Sequence, residues 1–152
     1  MPMTKTEIRT LLAAILTART TKLDTASAED WRLLEERFRT RFPEEFIAFV
    51  DLMSEFYFEG DIFHVRRRGN ANWDDSIETV FDCEREISGW PEHLVPFFGL
   101  GNGDYFALSA TEGVTSAVYF RDHEDNYTVR RESVSFEMWL RQLPAFLRGE
   151  ST

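Results

Sequence analysis

The chain has 152 residues, 43% of them hydrophobic and 14% aromatic, and a formal net charge of −10. Such a length and apolar content suit one domain with a proper core and exclude a disordered chain. The acidic balance argues against nucleic acid as ligand, since phosphate must be neutralised by Lys and Arg, and favours a basic protein partner; plain solubility is the other reading of the same charge.

Thr4-Lys-Thr-Glu7 predicts a capping box that opens a helix. Ile8, Leu11, Leu12, Ile15 and Leu16 form its apolar stripe, so the helix is expected to run to Arg19. The apolar run Leu11–Leu16 is too short for a secretory core and lacks a cleavage pattern after it. Nowhere does an apolar segment approach the roughly 18 residues of a membrane span. These features predict a cytoplasmic protein with no membrane partner. Residues 20–26 read as a polar connector. Ser27-Ala-Glu-Asp30 starts a second helix with Trp31, Leu34 and Phe38 inward. Pro43 suits the first turn of a third helix, where its missing N–H does no harm. Phe46, Ile47, Phe49, Val50 and Met53 face the core from that helix.

The pattern changes after Ser54. Glu55–Phe58 and Ile62–Val65, separated by Glu59-Gly60-Asp61, predict a hairpin. Arg66–Asn70 is a polar loop. Asp74–Ile87 predicts a helix with Ile77, Val80, Phe81 and Cys83 inward, its acidic start matching the positive end of the helix dipole. Trp90-Pro91 is expected to end it. As the single cysteine, Cys83 can form no intrachain disulfide, which suits a reducing compartment; on an apolar face it reads as a small hydrophobe rather than a nucleophile.

Strands follow at Leu94–Phe98, Tyr105–Ser109, Ala117–Phe120 and Tyr127–Val129. Between the first two lies Gly99-Leu-Gly-Asn-Gly-Asp104. A phosphate-binding loop would need a helix after the glycines and a P-loop lysine, and here a strand follows. Gly101 and Gly103 are therefore turn residues, with Asp104 accepting from nearby N–H groups. Ser133 or Ser135 caps a last helix that Pro144 should end or kink. Helices, then strands, then a closing helix give an α+β fold with a mainly antiparallel sheet.

Candidate contact residues are the carboxylates, because they can mimic phosphates in a basic cleft. Asp74, Asp75, Glu78, Asp82, Glu84 and Glu86 crowd one helix and its start; Asp122, Glu124 and Asp125 crowd one loop. The competing reading of each cluster is a solvated face. Trp73 and Tyr57 are candidate aromatic anchors, with core packing as their alternative. His64, His93 and His123 lie far apart with no metal-binding spacing. Asp122-His-Glu-Asp125 reads as a polar turn rather than a metal site. No serine sits in a nucleophile elbow. No catalytic residue, metal or cofactor is expected.

Four segments together resemble the SUKH superfamily, which includes the Syd protein and the yeast cell-wall assembly regulator. They are Arg41-Phe-Pro-Glu-Glu-Phe-Ile-Ala-Phe-Val50, Leu94-Val-Pro-Phe-Phe98, Gly101-Asn-Gly-Asp-Tyr-Phe-Ala-Leu108 and Ser135-Phe-Glu-Met-Trp-Leu140. The resemblance covers about residues 28–147. Ser109 stands where the family often has aspartate, and residues 1–26 form an extra helix and connector before a core of 27–148. The resemblance implies a single domain with helices covering a twisted antiparallel sheet. It also implies a non-enzymatic bacterial immunity protein whose partner is a cognate toxin domain, often a nuclease; the acidic composition adds that this partner has a basic surface. A regulatory or scaffolding domain of the same fold is the first alternative. A small hydrolase using dispersed histidines and carboxylates is the second.

Overall fold

The computed structural model describes residues 1–65 and 75–149. Both predicted capping boxes form. Helix α1 (Lys5–Leu12) is closed by the Glu7 N–H donating to Thr4 Oγ1 and the Thr4 N–H donating to Glu7 Oε1. Helix α2 (Ala28–Phe38) has the same reciprocal pair between Ser27 and Asp30. Each box satisfies two N–H groups that the first turn leaves without partners. Helix α3 (Glu44–Leu52) starts one residue past Pro43, which occupies the N-cap position. Its Phe46 and Phe49 are fully buried.

Helix α1 is shorter than its apolar stripe suggests. The chain leaves it after Leu12, and Thr17–Ala18 forms strand β1, which pairs antiparallel with β2 (Phe56–Tyr57). The expected hairpin between residues 55 and 65 is therefore absent. β2 belongs to this small ribbon, whereas β3 (Asp61–Ile62) pairs with β4 (Leu94–Gly99) in the main sheet. Burial explains the split. Phe58 packs between Phe49 and Phe98, at 6.2 and 5.4 Å between ring centres. Gly60, at φ +115°, then turns the chain over the Phe98 ring, where a Cβ would lie 2.3 Å from Phe98 Cζ. Only glycine fits that approach.

The main sheet is an antiparallel meander in the order β3-β4-β5-β6-β7, completed by β5 (Tyr105–Ser109), β6 (Val118–Asp122) and β7 (Thr128–Ser133). The fold is a single α+β domain, as its element order predicts. Phe98, Phe106 and Phe120 lie in register across three strands. They face helix α5 (Phe136–Leu147), whose Trp139 ring lies 4.9 Å from Phe97 and 5.4 Å from Phe106. Phe97 joins that face through a bulge: Pro96 pairs with Ala107 and Phe98 with Phe106, so Phe97 is the extra residue. A bulge breaks the two-residue alternation and sends adjacent side chains to one side. Helix α1 packs on α3 and α5 and puts Ile8 and Leu12 into the same core.

Helix α5 continues past Pro144 to Leu147 instead of ending there. Proline removes the N–H that would reach the Leu140 carbonyl. Packing on both sides of it compensates: Leu143 is buried, and the Phe146 ring contacts Phe106 at 5.5 Å.

Helix α4 (Ile77–Ser88) is capped by Ser76 and packs on β4. Gly89, in the left-handed region, ends it just before the expected Trp90-Pro91. Cys83 is exposed, not inward. After Ile77 and Phe81, the helical period continues inward through Glu84 and Ser88. The helix's buried stripe thus turns polar in its last turns, and Cys83 falls on the outer side. Among the described residues, no helix is long and apolar enough to cross a membrane.

Candidate functional site

The polar end of α4 meets the sheet at Arg121 of β6. This arginine is 2% exposed. Its Nη1 donates to Ser88 Oγ and its Nη2 to the Ser88 carbonyl, each at 2.9 Å. Glu84 Oε1 lies 3.9 Å from Nη1. The guanidinium is sandwiched between two rings, 4.9 Å from Trp90 and 4.4 Å from Tyr127. Ser88 Oγ and the Tyr105 hydroxyl donate to the two oxygens of Glu84, at 2.7 and 2.8 Å. Burial, reinforced by the Glu84 carboxylate, pushes the Tyr105 phenol well above its ordinary pKa. Burial also pulls the Arg121 pKa down. A buried cation persists only when paired and hydrogen-bonded, and this network supplies both at Nη1 and Nη2, leaving the buried Nε without an acceptor.

Arg121 therefore joins two acidic segments that are far apart in the chain. One is the C-terminal end of α4; the other is the turn between β6 and β7. In that turn the Glu124 N–H donates to Asp122 Oδ1, and Asp122 Oδ2 pairs with Arg130 at 3.5 Å. Asn126 and Tyr127 follow at φ +55° and +59°.

The glycine turn sits beside it. Asn102, not Asp104, makes the local bond there, its Oδ1 accepting the Asp104 N–H at 3.0 Å. Asp104 instead reaches 19 residues along the chain. Its Oδ1 accepts the His123 backbone N–H at 2.8 Å and lies 2.6 Å from His123 Nδ1. Gly103, at φ +100°, lets the imidazole lie against the turn: a Cβ there would be 3.1 Å from His123 Cγ. Gly101 also adopts a positive φ, +80°. The ligand atoms of Asp104, Asp122 and His123 lie within 4.8 Å of one another, the one such trio among the described residues. Each already serves the two turns through the bonds just given, so the trio works as a clasp.

Asp104 holds the His123 pKa above the ordinary histidine value by accepting its hydrogen bond. A raised folded-state pKa stabilises the protein fully below the unfolded value, and that contribution is lost as pH rises through the folded value. NMR titration of the imidazole should therefore give a midpoint above 6.5 in the native chain. Asp104→Asn should bring it back toward the ordinary value. A native midpoint at or below the ordinary value would contradict the clasp.

The other sequence-predicted residues are dispersed. Asp74 and Trp73 lie outside the described residues. Asp75 is exposed at the entry to α4, Glu78 is half-buried, and Asp82 pairs with Arg37 of α2. Glu84 is inside the Arg121 network, whereas Glu86, Glu124 and Asp125 are exposed. Pro43 borders a cleft near Val114 and Val134. Tyr57 is 46% exposed beneath Arg19. His93 is exposed. His64 is buried and lines one cavity with Asp61 and Asp75, yet those three do not converge as the Asp104 trio does. Sequence reasoning missed Arg121, Tyr127 and Ser88. Their common signal is weak: Arg121 follows two aromatic residues in Tyr119-Phe-Arg121, and only the fold shows which face it takes.

The family model described as SUKH_5, SMI1-KNR4 cell-wall, matches residues 8–146. A crystal structure of a protein from Pseudomonas syringae pv. tomato shares the fold, with a TM-score of 0.61 at 15% identity over 91% of this chain and 95% of that one. No curated protein matches the chain.

Proposed function

The chain belongs to the SUKH_5, SMI1-KNR4 cell-wall family, and from that premise we propose that it is a non-enzymatic binding protein of the immunity type. It neutralises a cognate bacterial toxin domain by covering a basic, nucleic-acid-type surface with its own acidic one. The observation that carries this reading is the Arg121 junction. It sets the Ser88 end of α4 against the turn that bears Glu124 and Asp125, in a chain of net charge −10. Charge of one sign raises the rate of encounter with a partner of the other sign.

Co-expression with the toxin domain encoded beside this gene should restore growth and yield a stoichiometric complex. Failure with every adjacent candidate would remove the immunity reading. A stable partner captured from a strain without toxin genes would favour a regulatory role instead. Within the complex, the double variant Glu124→Lys, Asp125→Lys should slow association by about tenfold or more and flatten its salt dependence. Unchanged association kinetics would take this region out of the interface.

A further inference from the structure

We propose that the exposed Tyr127 and Ile87, joined through Ser88 and the buried Arg121, anchor a docking surface for a cationic segment of a protein partner. Glu124 and Asp125 form its rim. The proposal rests on the binding role above and names the surface that carries it. Tyr127 is 42% exposed although its ring covers Arg121, and Ile87 is 78% exposed beside the Ser88 that Arg121 grips. Tyr127 also holds φ +59°. That conformation costs an aromatic L-residue free energy that glycine would avoid. A tyrosine kept there, stacked on an arginine, has the composition of an interface hot spot.

Charge selects the occupant. The cation at this place is already covered: Arg121 is bonded to Ser88 and closed between two rings. Neighbouring Arg130 pairs with Asp122 and Glu132, and Arg85 with Glu92. Among the described residues, Glu124 and Asp125 form no ion pair. The outward field around the apolar pair is thus negative, which attracts Lys and Arg and repels an acidic segment.

A short peptide alternating Lys and Leu, titrated into labelled protein and followed by NMR, tests the surface. The largest amide shifts should fall on 87–88 and 124–127 and should be absent with the Glu-Leu counterpart. Tyr127→Ala and Ile87→Ser should each weaken binding about tenfold. Ile87→Ser lies outside the core and should leave the thermal midpoint unchanged, so it decides the matter if Tyr127→Ala fails to fold. Shifts centred elsewhere, such as on Glu29 and Glu36 of α2, would overturn the proposal. So would native affinity in Ile87→Ser, or a sedimenting dimer that Ile87→Ser disperses, which would give the patch to a second copy of the chain. Full growth rescue by both variants would overturn this surface while leaving the immunity role intact.

Discussion

Replacing Trp139 with alanine should lower the unfolding free energy by about 3–5 kcal/mol, the range for deleting a large buried aromatic. The Trp139 indole is 3% exposed and meets rings from α3, β4, β5 and its own helix. Its contacts with Phe49, Phe97, Phe106 and Phe136 are mostly edge-to-face, the geometry that adds to area burial. No single neighbour can collapse into the space, because each is held by a different element. Domains of this kind retain only about 5–15 kcal/mol in total, so the variant should sit near its unfolding transition. Urea denaturation measures it: the midpoint falls while the slope stays constant. A loss below about 1 kcal/mol would mean that Trp139 does not tie these elements together.

Arg121→Ala should cost about 3 kcal/mol, the lower end for removing one member of a buried charged network. The loss strands the Ser88 carbonyl and opens a gap between Trp90 and Tyr127. It also leaves Glu84, 18% exposed at its side chain, without the nearby cation. The lower end applies because Glu84 keeps its bonds from Tyr105 and Ser88. Arg121→Met with Glu84→Gln should recover part of the stability, since an apolar replacement of matched size with no orphan charge is often tolerated. A double-mutant cycle with chemical denaturation reads the coupling. Native stability in Arg121→Ala would show that the junction contributes nothing to holding α4 against β6.

Short motifs decide local structure where their bonding partners are close in the chain. Thr4 with Glu7 and Ser27 with Asp30 are bonded three residues apart, and both caps are visible as short motifs. Ser135 caps α5 through Met138 in the same way. The β4–β7 meander was legible because apolar runs alternate there with glycine-rich or polar turns. Local preference gives way where a distant partner outweighs it. Phe56–Tyr57 pairs with Thr17–Ala18 rather than with the next strand. Pro144 stays within its helix because Phe106 and the core hold the turn beyond it. Asp104 bypasses its own turn for His123.

The candidate surface shows the same division. Composition alone made the chain acidic, and the order of apolar runs, caps and turns determined an α+β domain with a meander sheet. Those properties depend on residue type and on spacings within one element. Which carboxylates share a surface was decided by the tertiary structure. The bulge at Phe97 and the inward turn of Glu84 and Ser88 set the faces of β4 and α4, and Arg121 then ties that helix to the β6–β7 turn. A buried arginine takes whichever hydrogen-bond acceptors and aromatic rings the packed elements bring to it, and residues 33 positions apart meet only once the sheet has formed.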